Sequence, residues 1–152
     1  MRTADGRPLL LAVVGPTATG KSALALWVAT QSGGEIVNCD STAVYRGFDI
    51  GTDKVPVPER CGIPHHLIDV ADPTEIYTAA RYSRDASRVV REITARDRLP
   101  VVVGGTGLYF RALTRGLFPG PGRDPVLRAR LGRVARRRGV DALHRWLGRH
   151  DP

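Results

Sequence analysis

Eight residues constrain this chain more than any others. Gly15-Pro16-Thr17-Ala18-Thr19-Gly20-Lys21-Ser22 fits the pattern G-x-x-x-x-G-K-[ST] in full. A continuous apolar run, Pro8–Val14, leads into it, and Ala23–Thr30, with Leu24, Leu26 and Val28 among alanines, leaves it as a helix. A strand, a glycine-bounded turn and a helix in that order aim backbone N–H groups at an anion, with the helix dipole behind them. Gly15 and Gly20 permit the close approach, Lys21 adds a point charge, and the Ser22 hydroxyl is placed to ligate Mg²⁺. Pro16, Thr17, Ala18 and Thr19 complete the wrap. The segment predicts a phosphate or diphosphate ligand. ATP is the default occupant, although the pattern recognises phosphates and not adenine. A chance match in an unrelated turn is the alternative, and the flanking strand and helix argue against it.

The rest of the chain alternates strand and helix, which predicts an α/β fold, a P-loop-type parallel sheet flanked by helices. Pro8–Val14 is expected to be a central strand covered on both faces. Glu35–Asn38, His65–Val70 and Leu99–Val103 are the other expected strands. Ala79–Arg96 is the best helical pattern, free of Gly and Pro, with Tyr82, Val89, Val90 and Ile93 placed for burial. A further helix is expected from about Leu108, and Val55–Pro64, with three prolines, reads as irregular. Phe118–Asp124 is rich in Pro and Gly and reads as a hinge or boundary, followed by helices near Pro125–Arg138 and Val140–Arg149. The expected division is therefore a core over residues 1–117 and a second segment over 118–152.

The 152 residues are enough to bury a core without a disulfide or metal staple. Cys39 and Cys61 fit no zinc spacing and are expected to be reduced thiols. No apolar stretch is long enough to span a membrane, and the N-terminus lacks a secretory pattern, so a cytoplasmic location is expected. The net charge of +8 is unevenly placed. Residues 1–110 hold 12 basic and 12 acidic side chains, whereas residues 111–152 hold 11 arginines against Asp124, Asp141 and Asp151. A neutral body with a basic C-terminal segment points to a polyanion for that segment. The alternative is a solvated helix face in an arginine-preferring chain, since arginine outnumbers lysine 21 to 2.

An ordinary ATP hydrolase is disfavoured. Such enzymes end a second apolar strand in a carboxylate that helps hold Mg²⁺. Here Leu99–Val103 ends in Gly104-Gly105-Thr106-Gly107, with no carboxylate. A transferase that uses the loop for a leaving diphosphate fits better. In a doubly wound sheet, ligands sit beyond the carboxyl ends of the strands. Asp40 and Thr106 follow two such ends and are candidates to share a cleft with Lys21. Asp40 could accept a proton from a nucleophile, or could be an Asx-turn residue before Ser41-Thr42. Thr106 could line the cleft or cap the next helix. His65 and His66, adjacent in a strand, would face opposite sides and suit structural roles better than one metal site. Trp27 is expected in the core. Packing is likewise the commoner role for Tyr45, Tyr109 and Trp146, with base stacking as their alternative.

Four segments together resemble the tRNA dimethylallyltransferases, also called tRNA isopentenyltransferases or the IPP transferase family. They are Gly15–Ser22; Asp40-Ser41 with Tyr45-Arg46-Gly47 and Asp49-Ile50-Gly51-Thr52; Ile63-Pro64-His65-His66-Leu67-Ile68-Asp69; and Val103-Gly104-Gly105-Thr106-Gly107-Leu108-Tyr109. The match is ordered and covers roughly residues 9–117, continuing more weakly to the end. It implies transfer of a dimethylallyl group from dimethylallyl diphosphate to N6 of an adenosine beside the anticodon of tRNA, with diphosphate leaving and no ATP consumed. Carried over by position, Asp40 is the general base, and Thr106 lies at the target nucleotide and leaving group. Lys21, Thr17 and the loop amides bind the diphosphate, and Ser22 binds Mg²⁺. Asp40, Ser41, Thr42 and Ala43 touch tRNA, as does Arg128, and the basic segment begins a helical insertion that grips the anticodon arm.

Two positions depart from the family pattern. Ala43 stands where glutamine is usual, which removes an amide able to read a base edge, and Asp53 replaces a usual alanine. Family members are also about twice as long, so the resemblance implies a shortened chain, a monomer without full activity alone. Two other readings are open on sequence: a small-molecule or nucleotide kinase, and a non-catalytic RNA-binding remnant.

Overall fold

The computed structural model describes residues 6, 9–52, 54–117 and 124–151. It divides into two compact units, Met1–Leu117 and Phe118–Pro152. In the first unit, β1 (Leu11–Val14) enters the glycine loop and α1 (Lys21–Ser32) leaves it. β2 (Glu35–Asn38) follows, then a 3₁₀ turn at Val57–Arg60 and the two-residue β3 (His65–His66). α2 (Ala79–Ala95), β4 (Pro100–Gly104) and α3 (Gly107–Arg115) complete it. All strand pairs are parallel, in the order β1-β4-β2-β3.

Local chemistry accounts for most element ends. Gly33, at φ 62°, turns the chain out of α1, and its N–H returns to the Ala29 carbonyl. The Thr78 side chain caps α2 by accepting from Arg81 N. The buried face of α2 is the one that its helical period marks: Tyr82, Ala86, Val89, Val90, Ile93 and Thr94. β2 and β4 alternate across the sheet. Val37 and Val102 meet α2 and α3 on one side, where Tyr82 stacks on Tyr109 with centroids 4.3 Å apart. Ile36, Leu99 and Val101 meet Ala25 and Ala29 of α1 on the other. The result is a three-layer α/β/α sandwich with its core on both faces of the sheet.

Three expectations need correction. The apolar run into the loop is not central among the described strands: Pro8 lies outside the described residues, β1 begins at Leu11, and it occupies the edge of the described sheet. β4 is inserted between β1 and β2, so one side of β1 has no strand partner among the described residues. The third strand is shorter than His65–Val70, because Leu67 (φ 62°) and Asp69 (φ 57°) take left-handed conformations that no ladder continues. Trp27 is not a core residue but is 62% exposed.

A half-buried ionic contact ties the sheet to the end of α2. Glu35 accepts from Arg96 (Nη2–Oε2 2.8 Å) and faces His66 Nε2 at 2.7 Å. Burial alone would raise the Glu35 pKa. The hydrogen bonds from Arg96 and His66 outweigh it and hold the carboxyl below its ordinary 4.5. A group with a depressed folded pKa stabilises the fold above its unfolded pKa, and that stability is lost as pH falls through the folded value. Glu35→Gln is therefore expected to cost about 2 kcal/mol near neutrality. Thermal melts of both proteins over descending pH check this. The gap should close below the ordinary value, and a gap that does not change with pH would refute the charged contact.

The second unit is a helical hairpin of α4 (Pro125–Arg138) and α5 (Val140–Leu147). Asp124 caps α4, its carboxylate accepting from Val126 N and Leu127 N, with Pro125 in the first turn. Of the expected hinge Phe118–Asp124, all but Asp124 lies outside the described residues, as does Asp53. No described residue of α4 or α5 is fully buried.

Candidate functional site

The three segments singled out in the sequence meet at the carboxyl ends of β1, β2 and β4, around a cleft of about 400 Å³. Gly15, Pro16, Thr17, Lys21 and Ser22 line one wall. Ala18, Thr19 and Gly20 belong to the same loop but form its exposed outer arc, with Ala18 (φ 62°) and Gly20 (φ 79°) making the left-handed steps that curl it. Lys21 Nζ reaches back to the Pro16 carbonyl, bracing the loop and leaving two of its three N–H donors for a ligand. Thr19 Oγ1 donates to the same carbonyl at 2.9 Å.

Asp40, Ser41, Thr42 and Ala43 line the opposite wall, and Gly104, Gly105 and Thr106 lie between. Asp40 makes the Asx turn that one of the two sequence readings offered. Its Oδ1 accepts from Thr42 N (2.8 Å) and Thr42 Oγ1 (2.6 Å), which is an Asx turn, while the residue lines the cleft. Among the described residues Oδ2 has no partner, so that oxygen is available to a ligand. Thr106 occupies the N-cap position of α3 but does not cap it. Its Oγ1 instead accepts from Ser41 N at 2.9 Å and lies 3.2 Å from Ser41 Oγ.

Glycine makes that contact possible. A Cβ on Gly104 would sit 2.3 Å from the Cys39 carbonyl carbon and oxygen. The ends of β2 and β4 thus touch backbone to backbone, joined by Cys39 N to Val103 O (2.7 Å) and Thr106 N to Cys39 O (3.1 Å). Beneath them Cys39 is buried, and that burial pushes its thiol pKa up. Tyr109 is buried too, its hydroxyl donating to the Tyr77 carbonyl and its pKa pushed up to about 12 by burial. It is a packing residue and not a surface for a base.

The structure adds residues that the sequence reading passed over. Asn38 ends β2 with a buried amide that donates to Leu67 O (2.9 Å) and Asp40 O (3.1 Å) and accepts from Asp40 N (3.1 Å). It fixes the backbone on which Asp40 stands. Lys54 lines the cleft and spends all three donors, on Tyr45 O (2.7 Å), Asp69 (2.7 Å) and Asp49 (3.0 Å). Burial opposes its charge, but the two carboxylates outweigh burial and hold its pKa above the usual lysine value. Lys54 therefore folds the 41–54 loop against Asp69, and Lys21 is the lining cation left for an anion. A signal for Lys54 was available: both lysines of this arginine-rich chain line the cleft. His65 also lines it, and His66 is turned to Glu35.

The described residues hold no group of three or more His, Cys, Asp or Glu able to bind a metal. Ser22 lines the cleft beside Lys21. Arg128 is exposed on α4, in the second unit. That unit carries a cleft of its own, of about 700 Å³, lined by Arg130, Arg133, Arg137, Arg138, Arg145, Arg149 and Trp146. No ion pair is made by these arginines among the described residues. No described helix is long and apolar enough to cross a membrane.

Residues 43–152 match the family model described as IPP transferase. A tRNA dimethylallyltransferase of Solibacter usitatus is 59% identical over 143 residues, covering 93% of this chain and 46% of the relative. That of Stenotrophomonas maltophilia (strain R551-3) is 53% identical over 148 residues, covering 97% and 47%. The full-length tRNA isopentenylpyrophosphate transferase of Bacillus halodurans superposes with a TM-score of 0.73 at 43% identity, covering 96% of this chain and 48% of that one. A eukaryotic dimethylallyltransferase acting on tRNA gives 0.70 at 32% identity, covering 77% and 30%. The chain spans about half the length of the curated relatives it matches.

Proposed function

The chain belongs to the IPP transferase family, and from that premise we propose that its cleft takes dimethylallyl diphosphate and transfers the dimethylallyl group to N6 of an adenosine beside the anticodon of tRNA. The observation that carries the reading is the convergence of the phosphate loop, Asp40 and Thr106 on one cleft, with no carboxylate at the end of β4. The diphosphate would lie in Gly15–Ser22, against the loop N–H groups and Lys21. The N6 lone pair attacks C1 of the prenyl group, the C1–O bond breaks, and diphosphate leaves with its electron pair. The proton released from N6 passes to Asp40 Oδ2, the oxygen not used in the Asx turn. Thr106 positions the Asp40–Ala43 wall through Ser41. Mg²⁺, held by Ser22 and the diphosphate oxygens, would supply neutralising charge to the leaving group. The loop is thus a holder of leaving diphosphate and not an ATP site.

The acceptor must leave its stack to reach the cleft. Ser41, Thr42 and Ala43 would touch it there. Ala43 is buried and has no amide to read a base edge. The arginine cleft of the second unit and Arg128 would hold the tRNA phosphates by salt-dependent attraction. The enzyme would act as a monomer in the cytoplasm, where its tRNA is.

A competition titration with Mg²⁺ tests the donor. Dimethylallyl diphosphate is expected to displace a fluorescent diphosphate probe at lower concentration than ATP. An ATP preference would replace the reading with a kinase. Binding of neither, with RNA binding intact, would leave an RNA-binding remnant. The readout is binding, so it does not depend on turnover by this length of chain.

A further inference from the structure

Charge is segregated within the first unit. α2 and α3 form one layer of the sandwich and carry six arginines against Asp85 and Glu92. α1, on the other face of the sheet, carries no charged residue after Lys21. The even balance of residues 1–110 therefore hides a basic face. Arg111 and Arg115, counted in the sequence with the C-terminal segment, also belong to it. The helical period turns these side chains outward. α2 buries Tyr82, Ala86, Val89 and Ile93, and Arg84, Arg88 and Arg91, four and three residues apart, form one stripe on the opposite side. α3 buries Tyr109 and Ala112 and exposes Arg111 and Arg115. The two helices lie side by side, since Tyr109 donates to the Tyr77 carbonyl at 2.9 Å and Ser83 to the Ala112 carbonyl at 2.8 Å. The acids do not neutralise the face. Asp85 accepts from Tyr77 at 2.7 Å, and Glu92 makes only a half-exposed i,i+4 pair with Arg88. Arg84, Arg91, Arg111 and Arg115 make no ion pair among the described residues.

We propose that the outer face of α2 and α3 is an RNA-binding surface of the first unit, which takes the phosphodiester backbone of the tRNA strand leading out of the cleft. Position argues for this occupant. Thr106, at the head of α3, lines the cleft, and Arg111 stands five residues beyond it, about 7 Å along the helix. The stripe from Arg84 to Arg91 runs about 10 Å along α2. Chemistry argues for it as well. A guanidinium pairs bidentately with a phosphate, and these groups keep their donors free of protein carboxylates. α2 exposes no large apolar side chain, which a lipid surface or a protein interface core would call for. The inference rests on the tRNA reading of the cleft and adds a surface to it, and its readouts do not involve turnover.

Arginine footprinting tests the surface directly. The full chain is treated with a guanidinium-specific dicarbonyl reagent, with and without an unmodified tRNA transcript that has an adenosine beside its anticodon, and the modified sites are mapped by mass spectrometry. Arg84, Arg91 and Arg111 are expected to become several-fold less reactive when tRNA binds. Arg98 is the internal comparison and should not change, because it is exposed just before β4, at the opposite end of the strands from the cleft. Arg84→Ala combined with Arg91→Ala and Arg111→Ala should lower tRNA affinity at least tenfold in low salt and flatten its salt dependence by about three counterions. Lysine at the same three positions should restore the slope, and both variants should melt and bind diphosphate like the parent. Bound tRNA that leaves the three arginines fully reactive would overturn the proposal and leave the tRNA reading standing. Protection by anionic phospholipid vesicles or by polyglutamate, but not by tRNA, would also overturn it. A chain that binds no tRNA would overturn both.

Discussion

Gly104→Ala is expected to dismantle the cleft. The added Cβ would lie 2.3 Å from the Cys39 carbonyl carbon and oxygen and 2.9 Å from Asp40 N. All three are backbone atoms, so no side-chain rotation relieves the clash. β4 must withdraw from the end of β2, which strains the Val103–Cys39, Cys39–Thr106 and Ser41–Thr106 hydrogen bonds together. Overpacking of this kind costs about 1–3 kcal/mol, and each lost hydrogen bond adds about 1 kcal/mol. With all three lost, a total of about 4–6 kcal/mol corresponds to a fall in Tm of roughly 15–25 °C for a unit of this size. Gly105→Ala is the internal comparison. Its Cβ would stand 3.4 Å from the Gly15 carbonyl, an ordinary contact, so it should melt within a few degrees of the parent. Melting curves and a diphosphate titration on both variants separate the cases. A Gly104→Ala protein that melts and binds like the parent would show that the close approach does not matter.

That approach also marks what a sequence can reveal. The Gly-Gly-Thr-Gly segment was legible as a turn beside the cleft, but its partner lies 65 residues away, at Ser41. Nothing local says that Thr106 forgoes capping α3 in order to hold that partner. Two elements with local punctuation were read to the residue. β2 follows the Gly33-Gly34 stop, and α4 begins at Asp124-Pro125. His65–Val70 was misjudged because an apolar Leu67-Ile68 pair gives no warning of positive φ. β1 and Trp27 were misjudged for another reason. An apolar pattern records how an element is meant to be covered, whereas strand order and the presence of the cover are properties of the whole sheet. Of the cleft lining, the phosphate loop and Asp40 could be picked out because residue type at fixed spacing marks them. Asn38 and Lys54 act through contacts up to 29 residues away, so only their unusual identities could have signalled them: a buried amide ending a strand, and a lysine among arginines.

Lys21→Ala should separate the two units' contributions to binding. In the cleft, Lys54 is consumed by Asp49, Asp69 and the Tyr45 carbonyl, so Lys21 is the lining cation with donors to spare. Removing it deletes charge-assisted hydrogen bonds to a diphosphate, each about 1.5–3 kcal/mol, and unbraces the loop at Pro16. Diphosphate affinity should fall roughly 10–100-fold. RNA affinity should hardly change, because the arginine-lined cleft belongs to the second unit. Arg133→Ala with Arg137→Ala should do the reverse. It should lower RNA affinity and flatten its dependence on salt concentration by about two counterions, with diphosphate binding unaltered. Titrations of both ligands on both variants over a range of salt give four numbers. A Lys21→Ala protein that keeps its diphosphate affinity would remove the phosphate loop from the donor site. A Lys21→Ala protein that loses both ligands equally would mean that one continuous surface holds them.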